Sequence, residues 1–308
     1  SEVYLNLLAS PNIASRRTIF RQYDHHVQTN TVLPPGEGDA AVLRLKGTSR
    51  GIAITIDGNG RLCYLDAYSG SAIAVAEACR NLACTGAEPI AVTDGLNFGN
   101  PESQDVQYQI SLAVAGIRTA CEVFGIPVVS GNASLYNESG GSAIYPTPII
   151  GAVGLIEKVT QHVGQSFKNT GDHIILVGEE DIHGDPRDLA GSEYLHHTLD
   201  LVAGLPRVDL ELEHAVQMLC IQAIKKQFVS SAHDCSDGGI AIALAESAIG
   251  GRLGAVIEAP VTGRWDAALF GERQGRVVLS VPDDNVDDMA TLADQAGVPW
   301  SRIGTVGG

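Results

Sequence analysis

Residues 41–46 and 52–56 form two short runs that alternate or stay apolar, and Gly47 and Gly51 punctuate the polar stretch between them. That pattern predicts a β-hairpin. Val75, Cys79, Leu82 and Ala83 then recur at helical spacing up to Gly86, and Ile110, Val114, Ile117, Cys121 and Phe124 do so up to Gly125. Each series predicts an amphipathic helix, and each glycine suits a C-terminal cap. A short apolar strand at 126–129 leads into Ser130-Gly131-Asn132-Ala133-Ser134, and an apolar stretch at 149–156 closes the segment. The expectation is one α+β domain over residues 1–160.

Residues 173–178 read as the opening strand of a second unit, followed by a polar, glycine-containing loop at 179–191. Leu212, Ala215, Val216, Leu219, Ala223 and Ile224 mark an amphipathic helix. A strand into His233 and Asp234 and a helix starting near Gly239 follow, giving a second α+β domain over 161–308. No repeat, heptad or low-complexity tract supports a solenoid or a fibre.

At 308 residues, 44% of them hydrophobic, the chain is long enough to bury the cores of two domains. The apolar stretch at 144–156 is broken by Pro146, Pro148, Gly151 and Gly154, far from the roughly 20 residues of a membrane span. Ser1-Glu2-Val3-Tyr4 lacks the basic region and apolar run of a signal peptide, so a cytoplasmic location is expected. Six cysteines without CxxC spacing argue against a zinc site or a disulfide framework and read as buried small hydrophobes. A net charge of −16 disfavours nucleic-acid binding. Nucleotides stay within reach through glycine-rich turns, helix N-termini and carboxylates that hold magnesium.

Small residues at a strand end let backbone N–H groups approach an anion, and the run Ser130 to Tyr136 is the most informative such place. An ordinary turn is the alternative. A second strand end lies at Thr93-Asp94-Gly95-Leu96-Asn97-Phe98-Gly99-Asn100-Pro101. One aspartate and one asparagine from neighbouring strand ends would suffice for magnesium, which shares its coordination with phosphates. Asp94 capping its own turn is the alternative. Asp57 and Asp66 flank Gly58-Asn59-Gly60 and a strand-like run at 61–65, where Asp57-Gly58 reads more readily as a hairpin turn. His233 to Gly239 precedes a helix, with Ser236 or Asp237 as its N-cap. His25-His26 lacks a third ligand at metal spacing, and His183, His196 and His197 sit in solvated contexts without a role. No GxSxG, HExxH or GxxxxGK[ST] motif is found, which weakens hydrolase, metalloprotease and P-loop readings.

Taken in order, the chain resembles the synthetase component of phosphoribosylformylglycinamidine synthase. The resemblance is carried by residues 8–15 and 23–31, Thr93 to Pro101, Ser130 to Tyr136, Tyr145-Pro146-Thr147-Pro148, Gly191-Ser192-Glu193-Tyr194-Leu195, residues 231–239 and Phe270-Gly271-Glu272. It implies an aminoimidazole ribonucleotide synthetase-like α+β fold, with a barrel-forming N-terminal domain and a C-terminal domain. It also implies that this sequence is the second of two related halves and, taken alone, an inactive fragment. The family makes formylglycinamidine ribonucleotide from formylglycinamide ribonucleotide, ATP and ammonia. ATP phosphorylates the amide oxygen, and the ammonia comes from a glutaminase subunit or domain, with a small accessory subunit as a further partner.

Carried over by motif, Asp94 and Gly131 are ATP contacts, Asn132 is a magnesium ligand and Ser134 a substrate contact. The histidine base, the adenine-side contacts and most magnesium carboxylates belong to the first half. Asp234, Glu272 and Gln274 would sit in an auxiliary nucleotide site, where Arg273 replaces the usual serine and suits a phosphate. Exposed sheet edges lead us to expect a homodimer of the isolated chain. The alternatives are a non-catalytic, nucleotide-binding half, or another enzyme of the superfamily such as a selenophosphate synthetase or a thiamine monophosphate kinase. The extended motif series disfavours the last.

Overall fold

The computed structural model describes residues 2–308, the side chain of Val27 excepted. The first part of the chain comprises α1 (Glu2–Leu8), α2 (Arg17–Phe20), β1 (Thr31–Leu33), β2 (Ala41–Arg44), β3 (Gly51–Asp57), α3 (Gly60–Leu65) and α4 (Ala67–Cys84). β4 (Glu88–Asn97), α5 (Gln104–Phe124), β5 (Val128–Ser134), β6 (Glu138–Ser139), β7 (Ser142–Ala143) and β8 (Thr147–Ile156) complete it. Six of the strands form one sheet in the order β1-β2-β3-β8-β4-β5, in which only β4 and β5 run parallel.

The expected hairpin is β2–β3, with Ala41 opposite Ile54 and Arg44 opposite Gly51. Strand β8 alternates strictly between half-buried and buried positions, as a strand covered on one face must. Its buried face, with Val42, Ala53 and Val92, packs on Ala72, Val75, Cys79 and Leu82 of α4 and on Ile117 and Cys121 of α5. The other face is uncovered, and Ile54 and Ile56 on it are 39% and 73% exposed.

Residues 61–65 are helical, where a strand was expected. Asn59 Oδ1 accepts from the N–H groups of Arg61 and Leu62, satisfying two of the donors that a helix start leaves unpaired. Asp66 then caps α4 through Ser69 N. Asp57-Gly58 therefore carries β3 into α3, and no hairpin turn forms there. The alternative of an ordinary turn at 130–134 does not hold either, because those residues are the edge strand β5 itself, and β4 likewise continues through Asp94 to Asn97.

The second part contains β9 (His173–Val177), β10 (Ile182–Gly184), α6 (Glu193–Leu199), α7 (Leu210–Lys225), β11 (Ser231–Asp234), α8 (Gly239–Gly251) and β12 (Ala255–Ile257). β13 (Val261–Gly263), α9 (Trp265–Phe270), β14 (Val277–Val281), α10 (Val286–Ala296) and β15 (Trp300–Val306) follow. An antiparallel sheet ordered β11-β14-β9-β15-β12 is covered by α7 and α10 on one face and α8 on the other, so β9 and β14 are buried throughout. The polar segment at 179–191 contains regular structure, since β10 pairs with β13. Helix α8 is preceded by Gly238 at φ +80°, and neither Ser236 nor Asp237 caps it by a side chain. All six cysteines are buried and free, as anticipated. Among the described residues no helix is long and apolar enough to cross a membrane.

Candidate nucleotide site

Strands β4 and β5 bring the two polar motifs together. Asp94 lies opposite Gly131, Gly95 opposite Asn132 and Asn97 opposite Ser134. Each polar side chain crosses over the glycine of the neighbouring strand. A β-carbon on Gly131 would stand 2.1 Å from Asp94 Oδ1, and one on Gly95 would stand 3.2 Å from Asn132 Oδ1. These two crossings lie on opposite faces, because successive residues of a strand alternate. Asp94 shares its face with buried Ile150, whereas Asn132, Ser134, Thr93 and Asn97 share the uncovered one.

That arrangement corrects the expectation of a cation held jointly by Asp94 and Asn132. Among the described residues no group of three or more His, Cys, Asp or Glu side chains is placed to hold a metal ion. The exposed amide of Asn132 suits magnesium as a single oxygen ligand, with phosphates, water and residues from elsewhere completing the shell.

The Asp94 carboxylate borders a cavity of about 620 Å³ that is lined mainly by Val114, Ile117, Cys121, Ile126, Pro127 and Val128. Burial raises its pKa. Arg118 and Glu122 also line this cavity and pair with each other at 2.7 Å. On the opposite face Ser130 Oγ donates to Thr93 Oγ1 at 2.7 Å, and Asn137 Nδ2 donates to Ser134 O at 2.8 Å, which fixes the strand end beside the Ser134 hydroxyl.

Asp234, Glu272 and Gln274 lie elsewhere, buried in a polar seam between the two sheets. The guanidinium of Arg80 on α4 donates through Nε and Nη2 to the two oxygens of Asp234, through Nη1 to Glu213 Oε1 at 2.5 Å and through Nη2 to Gln274 Oε1 at 3.1 Å. Glu272 Oε1 accepts from the N–H groups of Glu193 and Gly238, each at 2.8 Å. Arg273 donates to Glu179 Oε1 at 2.6 Å. His233 bridges Asp39 at 2.6 Å and Glu246 at 3.0 Å. Burial pulls its pKa down, but the two carboxylates outweigh that and hold it well above the ordinary histidine range.

The sequence reading missed Arg80, Glu213 and Asp39. A signal existed for the first, since Arg80 falls four residues after Ala76 on a helix otherwise rich in alanine and cysteine, on its buried stripe. His183, His196 and His197 are exposed, in the solvated contexts that the sequence suggests.

The N-terminal and C-terminal domains of AIR synthase related proteins match residues 37–156 and 169–308. The chain belongs to the AIR synthase related family. Within it the chain is similar to the synthetase component of phosphoribosylformylglycinamidine synthase. It is 52% identical to subunit PurL of that enzyme from Moorella thermoacetica, over 99% of this chain and 41% of the relative. The PurL subunit of a Synechococcus species is 49% identical, over 100% of this chain and 42% of the relative. The chain thus spans about two fifths of the length of the curated relatives it matches. Among solved structures, PurLQS from Thermotoga maritima superposes with a TM-score of 0.67 at 26% identity, over 96% of this chain and 41% of the other. T. maritima PurL complexed with FGAR gives 0.65 at 27% identity, over 96% and 40%. The same protein complexed with ATP gives 0.63 at 26% identity, over 96% and 41%.

Proposed function

We propose that this chain forms one wall of a composite ligase site that converts formylglycinamide ribonucleotide to formylglycinamidine ribonucleotide, using ATP and glutamine-derived ammonia. The observation that carries the reading is the paired crossing of Asp94 over Gly131 and Asn132 over Gly95 at one strand edge. Among the described residues β5 is the last strand on this side of the sheet, so an ATP molecule can wrap around this edge with its base on one face and its phosphates on the other. The apolar cavity suits the faces of an adenine ring, and the Asp94 carboxylate suits its exocyclic amine as an acceptor. This chain then supplies an adenine-side contact of its own. Gly131 leaves room for the carboxylate, Asn132 offers one oxygen to magnesium on the phosphate side, and Ser134 contacts the substrate.

Magnesium, when bound, would neutralise charge on the triphosphate. The residues of this chain bind and orient. The base and the remaining metal carboxylates come from the other half, and ammonia from a glutaminase partner. The uncovered sheet face is where that half would close a barrel.

The test is phosphate release by the chain with formylglycinamide ribonucleotide, magnesium ATP and ammonium, with circular dichroism to confirm folding. A folded chain that turns over only when the first half is added supports the composite site. Substrate-dependent turnover by the chain alone overturns it.

A further inference from the structure

One side chain, that of Asn137, joins the ends of β4 and β5. The chain turns back over Leu135 and Tyr136, and Tyr136 adopts φ +61°, in the left-handed region that a residue other than glycine enters at a cost. Phe98 N donates to Ser134 O at 3.0 Å, Tyr136 N to Gly99 O at 2.9 Å and Asn137 N to Phe98 O at 3.1 Å. Asn137 O accepts from Ile144 N at 3.2 Å, so its backbone is fixed on both sides. Gly99 leaves room for the returning chain, since a β-carbon there would stand 2.7 Å from Ala143 Cβ.

The amide of Asn137 has one orientation. Its Nδ2 lies 2.8 Å from Ser134 O and 3.1 Å from Phe98 O, and carbonyls only accept, so nitrogen rather than oxygen must face them. The same nitrogen stands 3.1 Å from Ser134 Oγ. The reverse bond, from the Ser134 hydroxyl to Asn137 Oδ1, is 3.3 Å long, beyond the usual range for an O–H donor. Asn137 thus occupies a lone pair of the hydroxyl and leaves its proton without a good acceptor among the described residues. Leu135 N–H, next along the chain, makes no hydrogen bond among them either.

On the reading of Ser134 as a substrate contact, we infer that Asn137 is a positioning residue that presents the Ser134 hydroxyl outward as a hydrogen-bond donor, so that Ser134 meets the substrate at an acceptor oxygen. A phosphate or carbonyl oxygen of the ribonucleotide fits that donor, and an amide N–H does not.

Steady-state kinetics would be measured on the enzyme reconstituted with the first half, with ammonium as nitrogen donor, for Ser134→Ala, Asn137→Ala and the double variant. Each single change should lower kcat/KM for formylglycinamide ribonucleotide about tenfold with the KM for ATP unchanged, and the double variant should lose little more than either. If Ser134→Ala is without effect, the substrate contact itself falls and the positioning role with it. If Ser134→Ala costs activity but Asn137→Ala does not, or if the two losses multiply in the double variant, the contact stands and the positioning role is overturned. A rise in the KM for ATP with Asn137→Ala would also overturn it, since Asp94, Gly131 and Asn132 share these two strands and a general loosening of the edge would reach them. Tyr136→Gly separates alignment from folding, because glycine enters the left-handed region freely. Added to Asn137→Ala, it should raise the melting temperature, so that the kinetics are read on folded protein, and leave kcat/KM low. Recovery of kcat/KM together with stability would overturn the positioning role.

Discussion

The carboxylate of Asp94 occupies the space that a side chain on Gly131 would need, with Oδ1 only 2.1 Å from the missing β-carbon. No real β-carbon tolerates that approach, and Gly131 is not in the left-handed region, so its requirement is one of space. Gly131→Ala should push the Asp94 carboxylate out of place and raise the KM for ATP of the reconstituted enzyme by about tenfold or more, equivalent to about 1.4 kcal/mol. Because both residues act through one contact, Asp94→Asn and Gly131→Ala should be less than additive when combined. Fully additive effects in the double mutant would break the link between them.

Asn132 is exposed, and its loss should leave folding within about 0.5 kcal/mol of the parent. Turnover should respond differently. Asn132→Ala in the reconstituted enzyme should need a higher magnesium concentration for half-maximal rate and lose about tenfold or more in kcat. Asn132→Asp, which keeps an oxygen ligand, should recover part of that loss. An alanine variant with an unchanged magnesium profile would favour the non-catalytic reading of this half.

The difference between the two faces was not legible in the sequence, and the reason is a single residue. Val92 pairs with Val128 but Thr93 pairs with Ser130, so Val129 bulges out of the ladder. Counting by twos without that bulge would set Asn132 opposite Leu96 and on the same face as Asp94, which is how a shared cation site suggests itself. The hairpin and the long helices were legible because they repeat over many residues at periods of two and 3.6. The five residues 61–65 were not, since so short a run leaves the choice to the Asn59 cap. The seam around Arg80 was hidden for another reason: its partners are contributed by residues 133 and 154 positions further along the chain, and local pattern does not see them.

Asp57 gives that seam a pH dependence. Burial raises its carboxyl to about 7, with Asp234 and Asp237 adding to the rise, while the Gly58 N–H and Arg80 oppose it. Between about pH 4, where an unfolded aspartate ionises, and about pH 7 the folded state holds a proton that the unfolded state has lost. Stability from this group therefore falls as pH rises through that window. Asp57→Asn removes the linkage, so its melting temperature relative to the parent should improve from pH 5 to pH 8. Parallel melting profiles across that range would count against the raised carboxyl.

The uncovered sheet face makes a prediction about association. Ile54 and Ile56 stand on β3 with Val153 and Gly151 of β8 beside them, and neither isoleucine is covered by a helix. Exposed apolar sheet of this kind is costly in water and marks a face that meets a partner. In the isolated chain the available partner is a second copy, and sedimentation should show a concentration-dependent dimer. Ile56→Glu places a charge at the centre of that face without touching the α4 and α5 core, so it should abolish the dimer and leave the circular dichroism spectrum unchanged. A chain that sediments as a monomer over a wide concentration range would remove self-association, and the face would then be reserved for the other half of the enzyme. A dimer that survives Ile56→Glu would place the contact on a different surface.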